Sequence, residues 1–505
     1  MLKKESISVA NLMVDKTEEC AICSEFTLPD YCADMAVILK CFAYPRLQNR
    51  QWSGDKLLID GNAIVRVLYL DAERRSIRSV EYALPFACAL RCDQRVDDLS
   101  PNIEMETKYI NCRALNARRL EVRGTVWVHV SSEGIVTRDV CCSVDGDDLF
   151  AKIDTVETTL PDAWIEKIVS VSDSLEFEHS LPPAHMLLGG ECRATVRECK
   201  VLAGKIIVKG NIYLHQLYTD KADGESSHCL DYCLPYSQIL DVPGAVEGVP
   251  YAVSVQVLND TERCVVGPDG NLTVLDVTVK LLIQLRTYQK YSCRLVEDAY
   301  HCRYPLSLHT EEMKFRTLLG ERTEDVVVTY AIPMVSEQWS EILDVMIQPQ
   351  GCQAFCSEGN VKGLWKALVC VFAKDLSGEV VYNEYAAEIP LAFLSTGNSV
   401  GLRAQVADYK YHIADGKLEL QIALSVMISE YDCIEKSIVV EATLQKNAPK
   451  KEAKATAVVY YAVPGESIWD VGRTCGASPE EIRAENDWID DGIMDHAVLI
   501  VPLVN

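Results

Sequence analysis

A proline-centred landmark recurs three times at a spacing of about 150 residues: FTLPDYCADMAVILK around Pro29, HSLPPAHMLLGGECR around Pro182 and TYAIPMVSEQWSEILD around Pro333. Each copy is followed by the same events. GDKLLIDGNAIVRVLYLD carries Gly61, Tyr69 and Asp71, and GKIIVKGNIYLHQLYTD repeats them at identical offsets as Gly210, Tyr218 and Asp220. The third copy, NVKGLWKALVCVFAKD, is looser, placing Gly363 ahead of Phe372 and Asp375 with extra residues between. VEYALPF at Pro85, LDYCLPY at Pro235 and EYAAEIPLAF at Pro390 come next. A chain built this way is an array of like domains, each needing its own apolar core.

Within each copy apolar and polar residues alternate, as in Leu120, Val122, Val126 and Val128 or Leu418, Leu420, Ile422 and Leu424. That period of two marks strands with one face buried. Gly54-Asp55, Ala203-Gly204, Asp269-Gly270 and Asp415-Gly416 supply turns between them. Mid-strand glycines such as Gly61, Gly124 and Gly210 predict bulges or close backbone approach. The expected fold is mostly β: three repeated antiparallel β-sandwich or barrel-like domains over 1–148, 149–298 and 299–445. QKNAPKKEAKA then changes the composition abruptly, so a linker over 446–458 precedes a last domain over 459–505.

Charge and motifs exclude several function classes. A net charge of −25 without a basic cluster argues against nucleic acid and anionic lipid as partners. No run is long or apolar enough for a membrane span or a signal peptide, so the chain is expected to be intracellular where it is made. The twenty-one cysteines sit singly within apolar runs, which reads as reduced, buried thiol. Close pairs such as Cys20 with Cys23 and Cys229 with Cys233 have no second pair at zinc-ligand spacing, and the nine histidines are scattered, so neither metal nor cofactor is expected. There is no P-loop, no dinucleotide-binding glycine pattern, no Gly-x-Ser-x-Gly and no His-Glu-x-x-His, and three near-equivalent units leave no copy chemically distinct; the expectation is a non-enzyme.

The C-terminal stretch has its own punctuation. Tyr461, Val463 and Pro464 close a short strand, Gly465 turns the chain, and Ser467 with Asp470 forms a capping-box start for a helix carrying Ile468, Val471 and Cys475. Gly476 ends it, Ser478-Pro479-Glu480-Glu481 starts a second helix through Ile482, and an acidic loop leads to the strand Val498–Pro502. These residues, YYAVPGESIWDVGRTCGASPEEIRAEND with LIVP, resemble a LysM module, a family that binds N-acetylglucosamine glycans such as peptidoglycan or chitin. The resemblance places a ligand groove between Gly465, Glu466, Ser467, Ile468 and Trp469 on one loop and Asp487, Trp488, Asp490, Asp491 and Ile493 on the other. The cluster of carboxylates suits a basic protein surface better than a neutral sugar.

LPDYCADMAVIL, LLIDGNAIVRVLYLD and the following LPF resemble the SPOCS domain, the repeat of sporulation proteins in anaerobic Gram-positive bacteria. Three such repeats with a LysM module imply a spore-coat assembly scaffold in the mother-cell cytoplasm, at the forespore surface, bound to the coat's basement-layer morphogenetic ATPase. The alternatives are a peptidoglycan-binding protein of cortex or wall and, further off, a cell-wall hydrolase anchored by its module, whose paired carboxylates need only be close in space.

Overall fold

The computed structural model describes residues 2–74, 76–92, 101–146, 148–220, 226–333, 339–357, 359–446, 455–487 and 497–503. Its strands fall into three sets of six: β1 (Leu2–Thr27), β2 (Met35–Ser53), β3 (Lys56–Asp71), β4 (Ile77–Arg91), β5 (Asn102–Asn116) and β6 (Arg119–Val144) in unit 1; β7 (Leu149–Glu176), β8 (Met186–Leu202), β9 (Lys205–Thr219), β10 (Ser227–Asp241), β11 (Tyr251–Val266) and β12 (Leu272–His301) in unit 2; β13 (Leu306–Pro333), β14 (Trp339–Ser357), β15 (Asn360–Asp375), β16 (Val380–Leu394), β17 (Ser399–Ala414) and β18 (Lys417–Leu444) in unit 3. A small module follows: β19 (Ala457–Tyr461), α1 (Ile468–Cys475), α2 (Pro479–Glu485) and β20 (Val498–Pro502). The division expected at 298/299 falls inside β12, which runs on to His301. Most of the expected linker, residues 447–454, lies outside the described residues, and its last two positions already belong to β19.

Every unit is a sandwich of two antiparallel three-stranded sheets, and the topology is the same each time: β1-β6-β5 against β2-β3-β4, β7-β12-β11 against β8-β9-β10, and β13-β18-β17 against β14-β15-β16. The alternating residues meet between the sheets. In unit 1 Leu57, Ile59, Val65 and Val67 of β3 pack with Leu120, Val122, Val126 and Val128 of β6. The open edges approach one another, Thr107 of β5 donating to the Ala43 carbonyl of β2 at 2.7 Å and Tyr82 of β4 to the Thr27 carbonyl at the end of β1 at 3.2 Å. The sandwich is therefore flattened toward a barrel.

The hairpin register corrects the alignment of the third copy. Counted from the hairpin pairs Ser53–Lys56, Leu202–Lys205 and Ser357–Asn360, the place of Gly61 and Gly210 is taken by Trp365, not by Gly363. In units 1 and 2 an aromatic from the neighbouring strand covers the glycine: a Cβ on Gly61 would lie 2.3 Å from the Phe86 ring, and one on Gly210 2.4 Å from the Tyr236 hydroxyl. Unit 3 inverts the arrangement, with a fully buried Trp365 on the central strand opposite Ile389. The same volume is filled from the other side, which conserves packing while erasing the sequence landmark.

Further cores join the units. At the far end of each inner sheet the central strand is apolar on both faces, and its outward residues Leu68, Leu217 and Phe372 meet with Phe42, Leu188 and Met346. β4 lies against β8, β10 against β14 and β16 against β2, which closes a three-membered ring. The long strands also outrun their sandwiches. Beyond the register shifts at Leu12/Val14, Arg286/Tyr288 and Leu318/Gly320, each unit continues as a two-stranded ribbon. The ribbons pack through Ile7, Val140, Leu295, Phe315 and Ile438 into a common stem. A two-stranded ribbon is at best marginal alone, so mutual burial is what holds each of them.

The glycine positions yield an ordered expectation. The Cβ of Gly210→Ala would also sit 1.9 Å from the Thr195 carbonyl, a backbone atom that cannot rotate away, whereas Gly61→Ala meets only a side chain. Both variants should lose about 1–3 kcal/mol in denaturant unfolding, Gly210→Ala the more, and only Gly61→Ala should be rescued, by Phe86→Leu.

Candidate functional site

The C-terminal module has the strand-helix-helix-strand order that its punctuation predicts. Ser467 caps α1, accepting from the Asp470 amide while the Asp470 side chain takes the Ser467 amide at 2.9 Å. Gly476 ends α1 at φ 72°, and Ser478 caps α2 with Pro479 at its start. Ile468, Val471, Ile482, Leu499 and Val501 form the core. One residue that sequence reasoning passed over ties the parts together. Asn486 is buried, donates to the carbonyls of Ile482 at 2.6 Å and Ile500 at 2.8 Å, and accepts the Ile500 amide at 3.0 Å. Its signal was a lone amide side chain at the end of an apolar helix face, a place where a buried polar group must have a local partner.

The predicted groove residues separate. Gly465 makes the turn at φ 97°. Glu466 is committed within its own loop, accepting from the Tyr460 hydroxyl and the Val463 amide, both at 2.9 Å. Ile468 is 3% exposed and belongs to the core. Trp469 turns toward unit 2, its indole N–H donating to Asp298 at 2.8 Å and its ring meeting Tyr300 edge-on at 4.9 Å. Asp487 stands exposed just past α2. Trp488, Asp490, Asp491 and Ile493 lie outside the described residues.

Trp469 is one part of a docking site at the stem tip. Arg473 pairs with the same Asp298 carboxylate at 2.9 Å, and the Tyr300 hydroxyl donates to the Ala477 carbonyl at 2.7 Å. Two glycines let α1 approach this closely: a Cβ on Gly472 would lie 2.4 Å from the Tyr300 hydroxyl, and one on Gly476 2.6 Å from the Cys302 carbonyl. Asp298→Ala removes the acceptor of two donors, an indole and a guanidinium, and should weaken docking by about 1–3 kcal/mol. The measurement is the Trp469-dependent fluorescence together with protease cleavage in 447–454; a red shift and faster cleavage are expected, with the melting of the three units unchanged.

Polar side chains line the ring where the inner sheets meet, and they too occupy equivalent places. Arg66, His215 and Cys370 each stand ten residues beyond the start of their central strand and lie opposite Glu81, Asp231 and Glu384 on the next strand. Arg66 pairs with Glu81 at 2.8 Å and donates to the Gly190 carbonyl of unit 2. His215 lies between Asp231 at 2.7 Å and Asp344 of unit 3 at 3.0 Å. Cys370 accepts from Tyr382 at 3.1 Å, and Lys40 of unit 1 pairs with Glu384.

Next to the first seam, Arg46 pairs with Asp260 at 2.8 Å, while Glu262 keeps a buried oxygen with no partner among the described residues. Burial, reinforced by Asp260, pushes the Glu262 carboxyl up to about 7. The folded chain thus holds a proton there that the unfolded chain has already released above the ordinary carboxylate range, so stability falls as pH rises from that range through about 7. Glu262→Gln should leave unfolding midpoints unchanged near pH 4 and stabilise by about 1 kcal/mol or more near pH 8.

Two segments, residues 34–115 and 185–261, match the family model described as SipL, SPOCS domain. They cover β2 to β5 and all but the end of the corresponding stretch β8 to β11, the inner sheet with one outer strand, and leave out the long strands that build the stem. No curated protein and no solved structure matches the chain. Over those two segments, which lie in units 1 and 2, the chain is similar to SPOCS domains. The likeness there is to SipL, and it points to a sporulation-related protein. No helix among the described residues is long and apolar enough to cross a membrane.

Proposed function

We propose that this chain is a non-catalytic adaptor of spore-coat assembly whose C-terminal, LysM-like module captures a protein partner, the basement-layer morphogenetic ATPase that the resemblance implies, at the forespore surface. The observation that carries the reading is the outer face of the module's two-stranded sheet. Val459 pairs with Ile500 and Tyr461 with Val498, and all four are exposed, Tyr461 at 74%. Aliphatic side chains stacked around one aromatic make a flat apolar strip of the kind that anchors a protein interface. Trp469, the one described groove aromatic on which a sugar ring could stack, is instead spent on the stem.

Glu466 and Asp487 place carboxylates on the module's loops, which steer a partner carrying Lys or Arg. The three units supply the frame on which the module is held. Val459→Lys with Ile500→Lys should leave the module folded, since both side chains face solvent, and reduce ATPase capture by the full chain at least tenfold. Undiminished capture by this variant, or tight binding of chitin or peptidoglycan with no capture of the ATPase, replaces this reading with the glycan one.

A further inference from the structure

The second of the three seams differs from the other two. Arg66 supplies a fixed cation beside Glu81 in the first, and Lys40 supplies one beside Glu384 in the third. In the second, Asp231 and Asp344 are held by a histidine alone among the ion pairs of the described residues. The hydrogen-bond geometry constrains that histidine. Nδ1 of His215 is 2.7 Å from an Asp231 oxygen, which can only accept and so takes a ring proton from Nδ1. Nε2 stands 3.0 Å from Asp344 Oδ1, which likewise can only accept and already takes the Val345 amide at 2.8 Å. Without a metal a doubly protonated imidazolium bridges the two carboxylates, and a divalent cation would take the place of its Nε2 proton.

Cys229 Sγ completes the group, 3.2 Å from the same Asp344 oxygen. The nitrogen, sulfur and oxygen all lie within 4.8 Å of one another, and the 3.0 and 3.2 Å hydrogen-bond separations would open to the about 3.3–3.8 Å between ligands of a tetrahedral zinc ion on binding. Asp344 is fully buried, and its second oxygen has no partner among the described residues. Asp231, more than half exposed, occupies the place of the outer carboxylate that orients a metal-bound imidazole. His215 also borders a surface groove with Asp231 and Tyr409, which provides an entry path.

We propose that His215, Cys229 and Asp344 bind a zinc-class divalent cation that braces unit 2 to unit 3. A mixed nitrogen, thiolate and carboxylate set selects the borderline-soft ions over calcium or magnesium. Cys229 gives up its proton on binding. The pattern was invisible to spacing rules because the three ligands come from three strands of two repeats, Cys229 being half of a close pair whose other member, Cys233, is not in the group.

The test uses the full chain, stripped with a chelator and titrated with Co²⁺. Stoichiometric uptake with a near-ultraviolet thiolate-to-cobalt band, displaced by Zn²⁺, and a melting temperature raised by Zn²⁺ are expected. Cys229→Ser should lose the band, and Asp231→Asn, which touches no ligand atom directly, should weaken Co²⁺ binding about 10–100-fold. Asp231 is exposed enough that its variant should fold even if Cys229→Ser does not. Absence of the band, a band undiminished in Cys229→Ser, unchanged affinity in Asp231→Asn, or a melting temperature indifferent to Zn²⁺ overturns the proposal.

Discussion

The central strand of each inner sheet serves two cores at once, and the assembly depends on it. One face closes its own sandwich through Val65 and Val67, Ile212 and Leu214, or Val369 and Val371, and the other face meets the neighbouring units through Leu68, Leu217 and Phe372. Fully burying a side chain of this size contributes about 1.5–3 kcal/mol. The contact between units is thus made of the same material as the contact within them, and the three sandwiches cannot be treated as beads on a string.

That double duty also explains what could be read from the residues alone. Where only one face is buried the sequence alternates, and the strands, their turns and the two-sheet arrangement follow from Leu120 to Val128 or Leu418 to Leu424. Where both faces are buried the alternation gives way to the near-continuous runs IVRVLYL, YLHQLYT and ALVCVFA, which carry no period and so do not say what covers the second face. The ribbons of the stem were equally hidden. A strand that continues past its sandwich has the same local pattern as two strands with a joint between them, and only the partner ribbons distinguish the cases. In the C-terminal module the start and stop signals at Ser467, Gly476 and Ser478 were local and therefore legible. The role of Trp469 was not, because Asp298 and Tyr300 lie far away in sequence.

Repetition has preserved places more faithfully than residues. The position held by glycine in two units is tryptophan in the third, and the seam position is arginine, histidine and cysteine in turn. Both cases keep a geometric requirement, volume at one and a polar seam at the other, bridged to the next unit by Arg66 and His215 themselves and in unit 3 by Glu384 to Lys40, while changing the chemistry that meets it. Three seams built on one plan but with different electrostatics fix the order of units around the ring, since exchanging two of them would set unlike partners against each other.

Chain crossings and the C-terminal module are gathered at one end of the molecule. Val144 and Leu149, His301 and Leu306, and Leu444 all lie at the tip of the stem, where Asp298 holds the module as well. Antiparallel ladder bonds run perpendicular to their strands. A pull exerted on the module along the stem axis therefore loads β18 in shear against β13 and β17, with the whole ladder resisting together, whereas a sideways pull would open the same bonds one after another. The stem thus has a strong direction and a weak one, and would bear a pull along its axis far better than one across it.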